Sequence, residues 1–319
     1  MIRCFSFSCL FFSLVFGSPT AAQTTLASQY LHSSKSWLDL DYVGDGQVGH
    51  RLDVHLPAKG KGPFPVVVCI YGSAFFSNNS KAALVQIGLG QALLQAGYAV
   101  VAINHRSSRE ALFPAQLHDV KAAVRYIRAN GLDFHIDPAF VGMTGWSSGG
   151  HLSAITGVTS SLYTWEDQEH IFDLEGDLGP YKQVSSTVQA VVDWYGPTDF
   201  LIMDSCGSVM NHNDALSPES ILLGGPIQTN PLKSRFADPS TYVHAQSPPF
   251  LIFHGDQDPL VPHCQSEKLY KRLEQAGVKA ELIIVRGGGH GPGVMIKQYF
   301  QRMIAFLDTA RITQVKNSR

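Results

Sequence analysis

A serine lies at the centre of Gly145-Trp146-Ser147-Ser148-Gly149, between a stretch with the pattern of a buried strand and one with the pattern of a helix. At a strand–turn–helix junction this Gly-x-Ser-x-Gly motif forms a sharp turn that holds the serine hydroxyl above the edge of a sheet. The helix that begins there favours negative charge developing beside the hydroxyl. Ser147 is therefore the predicted nucleophile. The alternative is a glycine-rich turn without chemistry.

A serine hydroxyl is a weak nucleophile, so it needs a base, and the base needs an acid to orient it. After this motif the expected chain order is serine, then an acid, then histidine. His290 follows a predicted strand and is flanked by glycines, which let a loop carry an imidazole into a crowded site. Asp256 and Asp258 follow the preceding strand, and their chemistry alone does not separate them as the acid. His263 is the competing base, but its place at the start of a helix favours a capping or surface role.

The elements around these residues alternate between short apolar runs and longer helical patterns, which is typical of a parallel sheet covered by helices. The predicted strands are Leu38–Tyr42, Arg51–Leu56, Phe64–Ile70, Tyr98–Ile103, Pro138–Thr144, Val188–Trp194, Pro249–His254 and Ala280–Val285. The predicted helices are Lys81–Ala96, Pro114–Ala129, Ser148–Val158, Cys264–Ala276 and Met295–Ala310. The sequence thus predicts an α/β fold with a mostly parallel, doubly wound sheet of about eight strands, helices on both faces and an antiparallel edge. An acidic insertion at residues 160–187 is predicted to be a solvated loop.

Composition and charge exclude several classes of protein. The 319 residues are 45% hydrophobic and 16% charged, which excludes a disordered chain, a collagen-like repeat and a coiled coil. Lysine and arginine number 24 against 26 aspartate and glutamate, and they do not cluster. No nucleic-acid partner and no anionic membrane surface are therefore expected.

Residues 1–22 have the pattern of a secretory signal peptide. Arg3 supplies positive charge, residues 4–16 form an apolar core too short to span a bilayer, and small residues follow. We therefore expect a secreted or periplasmic protein without a membrane span, with a single domain at residues 23–319. An uncleaved anchor is the alternative.

An oxidising compartment permits disulfides, and three cysteines lie outside the predicted signal peptide. Cys69 lies in an apolar run and is expected to be a buried thiol. Cys206 and Cys264 remain as a hypothetical disulfide, with two reduced thiols as the alternative. Cys206 belongs to residues 196–247, which follow the carboxyl end of a strand and are expected to form a small cap over the ligand face.

Taken together, these motifs resemble the α/β-hydrolase superfamily. Within it they resemble the esterase/lipase branch that includes feruloyl and acetyl-xylan esterases, bifunctional feruloyl esterase-like proteins and hormone-sensitive-lipase-like enzymes. Besides the serine motif, the resemblance rests on Leu52-Asp53-Val54-His55-Leu56-Pro57, Phe113-Pro114-Ala115-Gln116, Asp193-Trp194-Tyr195-Gly196-Pro197-Thr198-Asp199 and Asp258-Pro259-Leu260-Val261-Pro262, which recur in this order. It implies an α/β-hydrolase fold with a small cap, and it assigns the acid to Asp258 with Asp256 in a supporting role.

The resemblance also implies an oxyanion hole of backbone N–H groups. Relatives often carry His-Gly-Gly-Gly and an aromatic residue where this sequence has Tyr71-Gly72-Ser73-Ala74-Phe75. We expect the N–H groups of Ser73, Ala74 and Ser148 to hold the oxyanion, in a pocket that the two added side chains narrow. The residues expected to line the substrate pocket are Phe75, Phe76, Trp146 and Tyr195. Ordinary core packing is the alternative for Phe76 and Tyr195.

The expected activity is hydrolysis of carboxylic esters by a secreted serine esterase through an acyl-enzyme, without a metal or an organic cofactor. Short acyl esters, acetyl or feruloyl esters of polysaccharide, and small soluble esters are the expected substrates. A serine peptidase and a catalytically inert binding protein of the same fold are the alternatives. The presence of candidates for all three catalytic roles argues against the inert protein. The sequence carries no signal for an oligomeric state.

Overall fold

The computed structural model describes residues 31–167 and 169–317. The predicted signal peptide, residues 1–22, lies outside these ranges. The strands are β1 (Ser36–Asp41), β2 (Arg51–His55), β3 (Phe64–Ile70), β4 (Ala99–Ile103), β5 (Ile136–Trp146), β6 (Thr164–Asp167), β7 (His170–Asp173), β8 (Ala190–Trp194), β9 (Phe250–Gly255) and β10 (Ala280–Val285). The helices are α1 (Ala83–Gln86), α2 (Leu89–Gln95), α3 (Ala115–Ala129), α4 (Ser148–Val158), α5 (Pro218–Leu223), α6 (Pro231–Phe236), α7 (Cys264–Gln275) and α8 (Lys297–Asn317).

Eight of these strands form one sheet in the order β1-β2-β4-β3-β5-β8-β9-β10. Strand β2 runs antiparallel to both β1 and β4, and every later pairing is parallel. The predicted mostly parallel sheet with an antiparallel edge is therefore confirmed. Within the described ranges, no helix is both long and apolar enough to cross a bilayer.

The central strands are apolar on both sides because helices cover both faces of the sheet. On one face α3, α4 and α7 bury side chains such as Val124, Leu152 and Leu269. On the other face α2 and α8 bury Leu93 and Leu307. This double cover fixes the sheet, so the loops at the carboxyl ends of its parallel strands stand on a rigid base.

Two predicted elements differ in kind, and not only in their bounds, from those in the structure. The helix predicted over Lys81–Ala96 is two helices, because Gly88 adopts a φ of 77° between them, a conformation that interrupts a right-handed helix. The insertion at residues 160–187 is not simply a solvated loop, since it contains the hairpin of β6 and β7. Its Glu175 also accepts hydrogen bonds from the buried side chains of Lys121 and Arg125.

The segment 196–247, expected as a cap, contains α5, α6 and several short 3₁₀ helices. Cys206 in this segment is bonded to Cys264, the first residue of α7. Cys69 is a buried free thiol. Residues 256–263 connect β9 to α7, so the bond ties the cap-like segment to the end of the loop that carries Asp258.

Candidate active site

The turn between β5 and α4 consists of Ser147 alone, which adopts φ 55° and ψ −125°. An L-residue is strained in this conformation, and such strain persists only where the surroundings enforce it. A Cβ atom on Gly145 would lie 2.2 Å from the carbonyl oxygen of Gly149, and one on Gly149 would lie 2.2 Å from that of Ile70. The two glycines therefore let the turn pack tightly and hold the hydroxyl at the sheet edge.

The three residues predicted to be catalytic lie in one hydrogen-bonded chain. The Nε2 atom of His290 lies 2.9 Å from Ser147 Oγ, and its Nδ1 atom lies 2.8 Å from Asp258 Oδ2. They meet because β9 and β10 are neighbours whose carboxyl ends reach the same edge of the sheet. Since Nδ1 faces a carboxylate, it carries the ring hydrogen, and Nε2 is left to accept the serine proton.

The competing residues have other roles. Asp256 Oδ1 accepts a hydrogen bond from the backbone N–H of Gly287, at 2.6 Å, and so holds the loop that leads to His290. His263 lies 3.6 Å from Glu267 on the exposed side of α7. Neither residue belongs to the hydrogen-bonded chain from Asp258 through His290 to Ser147.

The Asp258 carboxylate is fully buried and has partners at both oxygens. Oδ1 accepts the N–H groups of Leu260 at 2.9 Å and Val261 at 3.0 Å. Burial alone would raise the pKa of Asp258, but hydrogen bonds from His254, His290 and Val261 and the charge of His290 hold the pKa well below its ordinary value. The carboxyl group therefore stays ionised. The stability that it contributes is complete above its unfolded pKa and is lost as the pH falls from there through the lowered pKa of the folded state.

Sequence reasoning assigned no role to His254, the penultimate residue of β9. This side chain is completely buried, and its Nε2 atom lies 2.7 Å from the Val261 carbonyl oxygen and 3.5 Å from Asp258 Oδ2. Its Nδ1 atom lies 2.7 Å from Ser266 Oγ. His254 thus braces the loop that carries the acid, and its place at the end of a buried strand was the only signal in the sequence.

The loop after β3 has the shape expected of an oxyanion hole, although it lacks the glycines of many relatives. Ala74 and Phe75 both have left-handed φ values, of 51° and 64°. The expectation for Ser73 is wrong, because its N–H donates to Ser148 Oγ at 2.9 Å. The backbone N–H groups of Ala74 and Ser148 have no hydrogen-bond partner in the described part of the chain, and both residues line the cavity at Ser147.

The buried side chain of Phe75 holds this strained loop against the core. Its ring is buried and packs edge-on against His151 and Phe200, at centroid distances of 5.5 and 6.4 Å. Its carbonyl oxygen accepts the N–H of Ser108 at 2.8 Å. A non-glycine residue with positive φ costs about 1–3 kcal/mol, so this packing and hydrogen bonding offset the strain that keeps the Ala74 N–H in place.

A cavity of about 520 Å³ opens above Ser147 and His290. Of the four residues expected to line it, three do, namely Phe75, Trp146 and Tyr195. Tyr195 packs against His290 with the ring centroids 4.7 Å apart. Phe76 is absent from the described lining because its ring lies against the guanidinium of Arg109, at 5.0 Å, so the expectation for Phe76 is wrong. In the described ranges no group of three or more His, Cys, Asp or Glu side chains is placed to hold a metal ion.

Comparison with known proteins identifies the family. The BD-FAE family model matches residues 52–273, which is more than half of the chain and includes Ser147 and Asp258. The chain belongs to the BD-FAE family. Esterase LipQ of Mycobacterium tuberculosis is 29% identical over 67% of this chain and 46% of its own length. This BD-FAE chain spans about half the length of the curated relatives that it matches.

Two solved structures are similar to this BD-FAE family member. One, described as a truncated form of carbohydrate esterase from gut microbiota, is 46% identical with a TM-score of 0.83, covering 87% of this chain and 96% of that one. The other, a bifunctional GH43-CE of Bacteroides eggerthii, is 42% identical with a TM-score of 0.81, covering 86% of this chain and 38% of that one. The α/β-hydrolase fold and the resemblance to esterases are thereby confirmed.

Proposed function

We propose that this chain hydrolyses carboxylic esters through a covalent acyl-enzyme on Ser147. The observation that carries the proposal is the hydrogen-bonded chain from Asp258 through His290 to Ser147, at a cavity that two unpartnered backbone N–H groups of the described chain also line. Membership of the BD-FAE family and the similarity to proteins named esterases support the same reaction class.

In the first half of the reaction His290 takes the proton from Ser147 Oγ as this oxygen attacks the ester carbonyl carbon. Negative charge develops on the carbonyl oxygen, and the N–H groups of Ala74 and Ser148 stabilise it. Asp258 keeps the imidazole in the required tautomer and balances its positive charge. When the bond to the alcohol oxygen breaks, His290 gives its proton to the leaving alcohol.

The second half repeats these steps with water. His290 takes a proton from a water molecule, whose oxygen attacks the acyl carbon, and the same two N–H groups stabilise the second oxyanion. The bond to Ser147 Oγ then breaks, and His290 returns the proton to the serine. The products are the free acid, the alcohol and the original enzyme.

For substrates, we propose short acyl, acetyl or feruloyl esters, on polysaccharide or on small alcohols. Trp146 and Tyr195 give the cavity aromatic walls, and a volume of about 520 Å³ suits a small acyl group with its alcohol. The similarity to structures described as carbohydrate esterases supports a carbohydrate alcohol. Residues 1–22 support a secreted or periplasmic location.

A substrate panel tests the function. The purified protein is assayed with p-nitrophenyl acetate, butyrate and octanoate, with methyl ferulate and with a peptide p-nitroanilide. We expect turnover of the short or feruloyl esters, a lower kcat/KM for octanoate, and an acyl mass increment on the Ser147 peptide after acid quenching. Turnover of the anilide alone would favour a peptidase. Inertness towards every substrate, with a normal fold, would favour a binding protein.

Replacing Ser148 with alanine tests the oxyanion loop. The Ser148 backbone N–H remains, but the Ser73 N–H loses its acceptor and the loop carrying Ala74 loosens. We expect kcat/KM for p-nitrophenyl acetate to fall about 10-fold, less than the loss of a whole oxyanion donor. The free energy of unfolding in denaturant should fall by about 1 kcal/mol.

The matched control is Ser153→Ala, which removes another buried hydroxyl of α4, one that donates to the Gly149 carbonyl oxygen. It should lose stability to a similar degree with less effect on kcat/KM. Equal losses of activity in the two variants would contradict the role given to the bond between Ser73 and Ser148.

A further inference from the structure

A histidine and a glutamate of the cap-like segment line the same cavity as Ser147, and the proposed mechanism uses neither of them. His212 is 2% exposed and Glu219 is 4% exposed. Glutamate is almost never buried to this degree without a partner, so the contacts of these two side chains indicate what they do.

The hydrogen bonds of His212 fix the orientation of its ring. Nδ1 lies 2.9 Å from Glu219 Oε2, and Nε2 lies 2.9 Å from the carbonyl oxygen of Leu260 and 3.0 Å from Ser208 Oγ. The Glu219 carboxylate only accepts, so Nδ1 carries a hydrogen and donates it to Glu219. Burial alone would lower the pKa of His212, but the hydrogen bond and the charge of Glu219 raise it above its ordinary value.

The pair is fixed in place next to the acid loop. The peptide N–H of Leu260 donates to Asp258 while its carbonyl oxygen faces His212. The backbone N–H of His212 donates to Asp204 Oδ1 at 2.8 Å, and the neighbouring Cys206 is bonded to α7. Glu219 is therefore held at one position relative to the reacting groups.

One oxygen of the Glu219 carboxylate has no protein hydrogen-bond donor in the described part of the chain. Oε2 is bonded to His212, whereas Oε1 has no hydrogen-bond partner in the described part of the chain. Other buried carboxylates that face cations or histidines have partners at both oxygens, namely Asp53, Asp119, Asp238 and Asp258. The residues lining the same cavity include the apolar side chains of Pro197, Met210, Pro218 and Val261. Glu219 Oε1 is not among the fully buried unpaired polar atoms of the described chain, so solvent in the cavity reaches it, and a hydroxyl group of a bound molecule can replace that solvent as its donor.

We propose that Glu219, held by His212, determines specificity by accepting a hydrogen bond from a hydroxyl group of the bound ester. This inference rests on the proposed ester hydrolysis. The hydrogen bond from His212 Nδ1–H spreads the carboxylate charge of Glu219, so that the acceptor opposes the oxyanion at Ser147 less. Two parts of an ester supply such a hydroxyl: a sugar alcohol beside the ester bond, or the phenol of a feruloyl group.

Two pairs of substrates test the proposal on the unaltered enzyme. One pair is an acetylated methyl xyloside with free hydroxyls and its O-methylated counterpart. The other is methyl ferulate and methyl 3,4-dimethoxycinnamate. In the pair that contains the recognised hydroxyl we expect kcat/KM to fall about 10- to 100-fold on methylation, because the buried acceptor is left unpaired. Ratios near one in both pairs would overturn the proposal.

The variant Glu219→Met assigns the effect to this residue, because it keeps the length of the side chain and removes both oxygens. It should bring the discriminating ratio towards one, since the loss falls on the substrate with the free hydroxyl and not on its methylated counterpart. The control is Glu267→Met, which alters the other glutamate–histidine pair of the cap and α7 region, on an exposed surface, and should leave the ratio unchanged. Equal losses on all substrates in Glu219→Met would show a purely structural role and overturn the inference.

The same assays separate this inference from the proposed function. Turnover of any ester of the panel by the unaltered enzyme supports ester hydrolysis whatever Glu219 does, and inertness towards all of these esters would overturn both proposals. If thermal unfolding shows that Glu219→Met does not fold, the two substrate pairs on the unaltered enzyme still decide the question.

Discussion

Alanine in place of Ser147 is expected to lower kcat for p-nitrophenyl acetate by about 10⁵-fold or more, because the nucleophile is lost and no other hydroxyl replaces it. The Ser147 side chain has one hydrogen-bond partner in the described structure, His290 Nε2. Its removal should therefore leave the fold and the midpoint of thermal unfolding nearly unchanged.

The neighbouring serine provides the contrast for this experiment. Ser148→Ala also removes one hydroxyl oxygen from this motif but keeps the nucleophile. It should therefore retain orders of magnitude more activity than Ser147→Ala. A similar loss in the two variants, with both folded, would remove Ser147 from the role of nucleophile.

Asparagine in place of Asp258 is expected to lower kcat/KM by about 10⁴-fold. An amide NH₂ group facing His290 Nδ1 favours the tautomer whose hydrogen is on Nε2, and this nitrogen then no longer accepts the Ser147 proton. The substitution also removes the stability that Asp258 contributes above its unfolded pKa, since the folded state lowers the pKa of this carboxyl group. Steady-state kinetics and denaturant unfolding measure the two effects.

Asp256→Asn is the matched control, two residues earlier in the same loop. Its side-chain oxygen accepts the N–H of Gly287, and an amide oxygen still accepts that bond. We expect kcat/KM to change less than about 3-fold. An equal or larger loss in Asp256→Asn would reassign the acid.

The strand pattern and the chain order made much of this architecture predictable from the sequence. Buried strands are apolar runs, and parallel strands place their following loops at one edge, so the sequence alone predicts that Ser147 and His290 lie close together. The choice between Asp256 and Asp258 is different. It depends on which carboxylate faces His290 Nδ1, a matter of loop conformation that residue chemistry does not encode.

The features that sequence reasoning missed depend on local dihedral angles. The Ser73 N–H turns to Ser148 Oγ, and the Phe76 ring turns to Arg109, because the loop takes left-handed angles at two non-glycine residues. His212 and Glu219 lie among short helices without periodicity, so no pattern indicated that they would meet. In the folded chain they lie together in the lining of the cavity above Ser147.

The bond between Cys206 and Cys264 encloses α5, α6 and β9 in a covalent loop. Leu216, 79% exposed, lies in a turn inside this loop and is an accessible point for a protease. A cut there would place Ser147 on one fragment and His290 on the other, yet the fragments would stay joined. On a denaturing gel the nicked protein would separate into two bands only after reduction. A single break in this part of the backbone would thus leave Ser147 and His290 tethered to each other.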